Sequence, residues 1–155
     1  VLTLLAVIAL TVIDRVIKTF AFDAATPQPI IGAALSFHPA VNPLGPFGIP
    51  MTNSWVLALG GIAIGMFSIV VLHGTARPYR FGAVLVLIGG ASNLLDRFRY
   101  GYVIDTFRFS PGLIFNTADL YIVFGVFIIV GMYIREWRNE HLYGSTSVLS
   151  SDRRS

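Results

Sequence analysis

The sequence predicts an all-α membrane protein of four transmembrane helices, with a small extracytoplasmic cap of strands and loops between helices 1 and 2. Three observations carry that prediction. The 155-residue chain is 55% hydrophobic and only 12% charged, about half the charged fraction of a typical soluble domain. Long apolar stretches occupy 1–22, 54–72, 81–95 and 118–134. The segment joining the first two, about 23–51, is rich in Pro and Gly and has no Lys or Arg.

At 1.5 Å rise per residue, about 20 residues cross roughly 30 Å of hydrocarbon. The first, second and fourth stretches suffice, and 81–95 needs flanking residues. The opening run 1–13 has the length of a secretory signal, yet no basic residue precedes it and no small-residue cleavage site comes before Asp14, Arg15 and Lys18. It reads as a retained helix. In the cap, PIIGAALSF is expected to form short surface strands, since Pro bars long central ones. Thr52, Asn53 and Ser54 offer capping oxygens to the second helix. Glycines 60, 61, 65, 82, 89 and 90 are read as structural, permitting close helix contact. Residues 1–143 thus form one membrane domain, and the polar stretch 144–155 is expected to be a disordered cytoplasmic tail.

Basic residues set the orientation. Arg77, Arg80, Arg135, Arg138, Arg153 and Arg154 fall on one side, against Arg97, Arg99 and Arg108 on the other. The positive-inside rule puts both termini in the cytoplasm and Asp105 outside. The absence of cysteine excludes disulfides, thiolate metal sites and a thiol nucleophile. A formal charge of +3, without a basic run interleaved with aromatics, gives no sign of a nucleic-acid partner. His38, His73 and His141 have no carboxylate neighbours at metal-site spacing, so neither metal nor cofactor is expected.

Carboxylates near lipid are expensive, about 2.5–3.5 kcal/mol each at a helix centre, so Asp105 in GYVIDTF and Asp119 in FNTADLY need a reason. Asn93, Asp96 and Arg97 cluster where the third helix leaves the membrane, at spacings that share one helix face. An interfacial salt bridge with a snorkelling arginine is the plainer alternative. Asn116 or Thr117 caps the fourth helix, placing Asp119 in its first turn, where the helix dipole alone could explain an acid. The loop 106–115 can return Asp119 to the surface bearing Asp105. Two carboxylates in one site cannot easily both ionise, so one keeps a proton while the other acts as base, which suits activation of water and protonation of a leaving amine. Asp14 and Lys18, at i and i+4, read as a structural ion pair where helix 1 meets the interface.

DRVIK at 14–18, Asn42 with Gly45, SNLLDR at 92–97, VID at 103–105 and FNTAD at 115–119 together resemble the bacterial lipoprotein signal peptidase family, signal peptidase II. The resemblance implies a membrane aspartic peptidase of the bacterial inner membrane that removes signal peptides from prolipoproteins, cutting before a diacylglyceryl-modified cysteine. It makes Asp105 and Asp119 the catalytic dyad. Asn42, Gly45, Asn93, Asp96, Arg97 and Asn116 become substrate-binding or site-ordering residues, with Asp14 and Lys18 in support. Three departures stand out: the Asn-x-Gly block is Asn42-Pro43-Leu44-Gly45, Ser92 replaces the usual glycine, and Thr106 replaces an apolar residue.

The expected partners are lipidated prolipoproteins and membrane lipids, around a monomeric enzyme. Two other readings stand beside it: a small ion or proton transporter subunit that uses the membrane carboxylates, and an inactive lipid-binding scaffold. The gathering of polar residues at one face, with helix centres nearly free of charge, weighs against transport.

Overall fold

Long apolar runs without proline form helices, and the Pro- and Gly-punctuated connections between them form strands. The computed structural model describes residues 2–23, 26–73 and 77–151. In chain order these are α1 (Leu2–Asp23), β1 (Gln28–Ile31), β2 (Leu35–Asn42), a short 3-10 turn (Pro46–Gly48), α2 (Asn53–His73), α3 (Arg77–Tyr100), β3 (Val103–Phe109), β4 (Leu113–Phe115) and α4 (Thr117–Ser151). The chain is therefore mostly helical with a small antiparallel sheet in the order β1-β2-β3-β4, which corrects the all-α expectation.

Half of the sheet comes from an unexpected place. From the sequence, strands are expected only in the connection between helices 1 and 2, with 106–115 a loop. In the structure that connection, between α3 and α4, supplies β3 and β4. Val103, Ile104, Thr106, Phe107 and Phe109 are β-branched or aromatic and favour a pleated surface. Their backbone groups pair with β2, with Ala40 opposite Asp105, Asn42 opposite Val103 and Phe37 opposite Phe107. The Phe37 and Phe107 rings meet edge to face, their centroids 5.9 Å apart. Gly101, at φ +83°, ends α3, and its N–H bonds back to the Arg97 carbonyl at 3.0 Å. The turn aims the chain into β3 and so places Asp105.

Within the described residues, three helical segments are long and apolar enough to cross a membrane: Asn53–His73, Tyr79–Tyr100 and Thr117–His141. The fourth expected span, α1, falls outside that set because its second half carries Asp14, Arg15 and Lys18. Burial is inverted relative to a soluble protein. The largest fully buried side chains are Lys18, Asn116, Thr106, Asp14 and Asp96, while Ile62, Met66, Leu72 and Phe127 face outward. An apolar exterior around a polar centre suits a lipid solvent. Beyond the membrane segment α4 continues as helical backbone to Ser151, past residue 144, from which the polar composition predicts disorder. Residues 152–155 lie outside the described residues.

α3 is the central helix, and its small residues set how near α4 comes. A Cβ built on Gly89 would lie 2.3 Å from the Ala118 carbonyl oxygen, and one on Gly82 would lie 2.8 Å from that of Gly125. A Cβ on Gly61 or Gly65, also read as packing glycines, would meet nothing within 4 Å among the described residues. Gly89→Ala must therefore push on the first turn of α4, and overpacking of this kind costs about 1–3 kcal/mol. Thermal unfolding in detergent should show that loss for Gly89→Ala, whereas Gly61→Ala should stay within about 0.5 kcal/mol of the parent. Equal melting of the two variants would contradict the close α3 to α4 approach.

Candidate active site

The end of β4 runs directly into α4, and the sequence there explains how the helix begins. Asp119 N–H donates to Asn116 Oδ1 at 3.0 Å, while Asn116 N–H donates to Asp119 Oδ2 at 3.0 Å. This reciprocal arrangement is a capping box, with Asn116 at the N-cap and the acid three residues on. Asn116 serves as the cap, and the Thr117 hydroxyl instead donates to Asp14 Oδ1 at 2.5 Å. The same Asp14 oxygen accepts the Ala118 N–H at 3.0 Å. A carboxylate from α1 thus satisfies the opening turn of α4, where four N–H groups lack helical partners.

Asn116 also reaches the other acid. Its Nδ2 donates to Asp105 Oδ1 at 2.9 Å, so one asparagine ties Asp105 to Asp119. Asp105 Oδ2 accepts from Asn42 Nδ2 at 2.9 Å. That contact follows from the sheet, because Asn42 stands opposite Val103 and Asp105 is its diagonal neighbour on the same face. The small Ala40 directly opposite Asp105 leaves room for it. Asp119 Oδ1 accepts from Asn93 Nδ2 at 2.8 Å. Each of the four carboxylate oxygens therefore has one neutral N–H donor.

Two amides are locked in the orientation that makes this possible. Leu44 N–H donates to Asn42 Oδ1 at 3.1 Å, an Asx turn that leaves Nδ2 for Asp105. Lys18 Nζ donates to Asn93 Oδ1 at 3.0 Å, which leaves Nδ2 for Asp119. Among the described residues no Lys or Arg makes an ion pair with Asp105 or Asp119; the ion pairs join Asp14, Arg15, Lys18 and Asp96. A bound cation would drive both carboxyls to ionise, whereas neutral amides let one keep a proton. Burial pushes the Asp105 carboxyl above the usual carboxylate range, and repulsion from Asp119 adds to this, against hydrogen bonds from Asn116 and Asn42 and the Lys18 charge.

That shift has a consequence for stability. An acid whose folded-state pKa lies above the unfolded value of about 3.9 favours folding fully below that pH, and loses the contribution as pH rises through the folded value. The melting temperature of the parent relative to Asp105→Asn should therefore fall between about pH 4 and neutrality. A difference that stays constant over this range would contradict the raised value.

The other residues singled out in the sequence order this site. Asp96, fully buried, accepts from Lys18 Nζ at 2.7 Å and from Arg15 Nη1 at 2.6 Å. Lys18 lies 3.6 Å from Asp14, so the i, i+4 pair read from sequence is the weakest link, and tertiary partners dominate. Arg97 is 5% exposed and donates through Nη2 to the Leu44 carbonyl; it anchors the loop after β2 and does not snorkel. Asn53 Nδ2 holds the Arg97 carbonyl at 3.1 Å. Gly45 is buried, its N–H on the Ile49 carbonyl at 2.8 Å, and a Cβ there would lie 2.9 Å from that oxygen. The departures are absorbed locally: the inserted Leu44 supplies both the N–H for Asn42 and the carbonyl for Arg97, and the Ser92 hydroxyl bonds Asp14. The buried Thr106 Oγ1 has no hydrogen-bond partner among the described residues. Arg15 was not singled out by sequence reasoning. The only signal for it was a second cation beside Asp14.

Comparison with known proteins adds ancestry to this geometry. The family model described as Signal peptidase (SPase) II matches residues 6–135. A lipoprotein signal peptidase of Clostridioides difficile is 30% identical over 139 residues, covering 83% of this chain and 93% of that protein. One from Moorella thermoacetica is 30% identical over 131 residues, covering 81% and 85%. A solved bacterial membrane enzyme superposes with a TM-score of 0.82 at 18% identity, over 88% of this chain and 90% of the other, and has the same fold. With a match across most of its length and relatives covered almost end to end, the chain belongs to the signal peptidase II family.

Proposed function

We propose that Asp105 and Asp119 are the acid and base with which this membrane aspartic endopeptidase removes signal peptides from prolipoproteins, cutting before a diacylglyceryl-modified cysteine. The observation that carries the assignment is the set of four neutral amide donors around two adjoining carboxylates. In the reaction, the ionised carboxylate takes a proton from water as the water oxygen attacks the scissile carbonyl carbon. The protonated partner gives its proton to the carbonyl oxygen, and a tetrahedral diol forms. The first carboxyl then protonates the leaving nitrogen as the C–N bond breaks, while a diol hydroxyl returns a proton to the second. Buried Asn116 fixes the spacing of the pair, and Asp119, Asn42 and Asn93 are half-buried and face the space a substrate would enter.

In this reading α1 is the fourth span. Its 22 residues extend about 33 Å at 1.5 Å each, and of the charges that exclude it on composition Asp14 and Lys18 are turned inward, 0% and 2% exposed, while Arg15 is half-buried. The enzyme is then a monomer of the bacterial inner membrane with both termini in the cytoplasm, and the sheet and dyad lie at the outer face among lipid headgroups. Single cysteines at Ala33 or Ser110 should react with an impermeant thiol reagent from outside, and one at Thr75, which lies outside the described residues, should not. The reverse pattern would invert the protein.

The reading is tested with the purified chain and a synthetic prolipoprotein peptide whose cysteine carries diacylglycerol. Mass spectrometry should find one new N-terminus, at the lipidated cysteine. An uncut peptide, together with ion flux in proteoliposomes, would favour transport instead.

A further inference from the structure

We propose that Arg15 is a positioning residue of the dyad: as the half-buried second cation of a four-charge cluster, it leaves Lys18 free to hold Asn93, and through Asn93 it holds Asp119. The inference rests on the dyad assignment above. It assigns a role to a side chain inside the DRVIK block that neither the site assignment nor the reaction uses.

The cluster is built from α1 and α3. Asp14 and Asp96 are both 0% exposed. Arg15 bridges them, with Nη1 2.6 Å from Asp96 Oδ1 and Nη2 2.8 Å from Asp14 Oδ2, and Nη2 also bonds the Ser92 hydroxyl. Two anions are thereby balanced by two cations. Lys18 has three protons to place. It uses one on Asp96 and one on Asn93, and stands 3.6 Å from Asp14, beyond hydrogen-bond reach. Without Arg15 the cluster would carry a net negative charge, and Asp14 would keep as hydrogen-bond donors only the neutral Ser92, Thr117 and Ala118 N–H, with Lys18 at 3.6 Å as its remaining cation. Such an anion draws the nearest ammonium, which is Lys18, away from Asn93. Asn93 then loses the partner that fixes its amide toward Asp119.

Arg15 Nε is buried with no hydrogen-bond partner among the described residues. The guanidinium uses its two Nη groups on Asp96, Asp14 and the Ser92 hydroxyl. The charged groups around the pair are Asp14, Arg15 and Lys18 on α1, Asp96 and Arg97 on α3, Asp105 on β3 and Asp119 on α4. Removing one positive charge from this set makes the shared proton harder to lose.

The test compares Arg15→Gln and Arg15→Lys with the parent on the lipidated peptide, across pH. Arg15→Gln should lower kcat about ten- to a hundredfold with KM nearly unchanged, and move the alkaline limb upward by about half a pH unit or more. Arg15→Lys should restore the limb and part of the rate. Infrared spectra give a readout independent of turnover: the protonated-carboxyl band that disappears in Asp105→Asn or Asp119→Asn should persist to higher pH in Arg15→Gln. If parent and Arg15→Gln share one alkaline limb and one band titration, the proposal is wrong, even if Arg15→Gln melts earlier. A band shift in Arg15→Gln together with a parent that cuts no peptide would refute the peptidase reading and leave the coupling standing.

Discussion

Asp105→Asn and Asp119→Asn should each lower turnover of a lipidated prolipoprotein peptide by about 10³-fold or more, because each removes one half of the acid and base pair. The two substitutions differ in what they disturb. Asp105 receives Asn116 Nδ2 and Asn42 Nδ2 on its two oxygens, so an asparagine there sets an NH2 group against a donor. Neither neighbour can turn its amide, since Asn116 Oδ1 accepts from Asp119 N–H and Asn42 Oδ1 from Leu44 N–H. That lost bond is worth about 1–3 kcal/mol. Asp119→Asn meets the same conflict between Asn93 Nδ2 and the Asn116 N–H. Both variants should still fold, because the cluster of Asp14, Arg15, Lys18 and Asp96 is untouched. Folded variants that retain near-parental turnover would remove the dyad from the mechanism.

The second large effect concerns the substrate. Asp105 and Asp119 sit where β3 and the first turn of α4 meet, at one end of the apolar helices, so on the proposed function a bound peptide must present its scissile bond at that depth. An acyl chain buried in the bilayer contributes about 0.8 kcal/mol per CH₂, and one chain of ordinary length gives a membrane association constant of about 10⁴ M⁻¹. The diacylglyceryl group therefore concentrates the substrate and fixes its depth. The same peptide without lipid should be cut about 10²-fold more slowly or less efficiently still in kcat/KM. Equal cleavage of both peptides in matched detergent would mean a general membrane peptidase.

Local chemistry in the sequence reaches surprisingly far into this site, and stops where partners are distant. Asn93, Asp96 and Arg97 could be placed on one helix face from spacing alone, and Asn116 could be read as a cap, since both depend on neighbours within one turn. Asp14 and Lys18 show the limit. Their i, i+4 spacing suggests a pair, yet the nearer partner of Lys18 is Asp96, which is 78 residues away, at 2.7 Å against 3.6 Å for Asp14. Arg15 was hidden for the same reason, its partners Asp96 and Ser92 lying on another helix. β3 escaped because Asp105 and Thr106 interrupt its apolar pattern, and only the β2 register turns that polar step inward. α1 was legible as a helix, and whether its charges face lipid depends on α3 and α4, which no local pattern reports.

The pH dependence of kcat/KM on the lipidated peptide tests the central claim, that two amide-held carboxylates work with one shared proton. The account predicts a bell, with an acidic limb where the pair gains its second proton and an alkaline limb where it loses the first. Burial and the neighbouring Asp119 place the Asp105 carboxyl above the ordinary range, so the alkaline limb should lie above that of a free carboxylate. A rate that stays flat across the carboxylate range and on into alkali would contradict it, since cleavage would then proceed with both acids ionised.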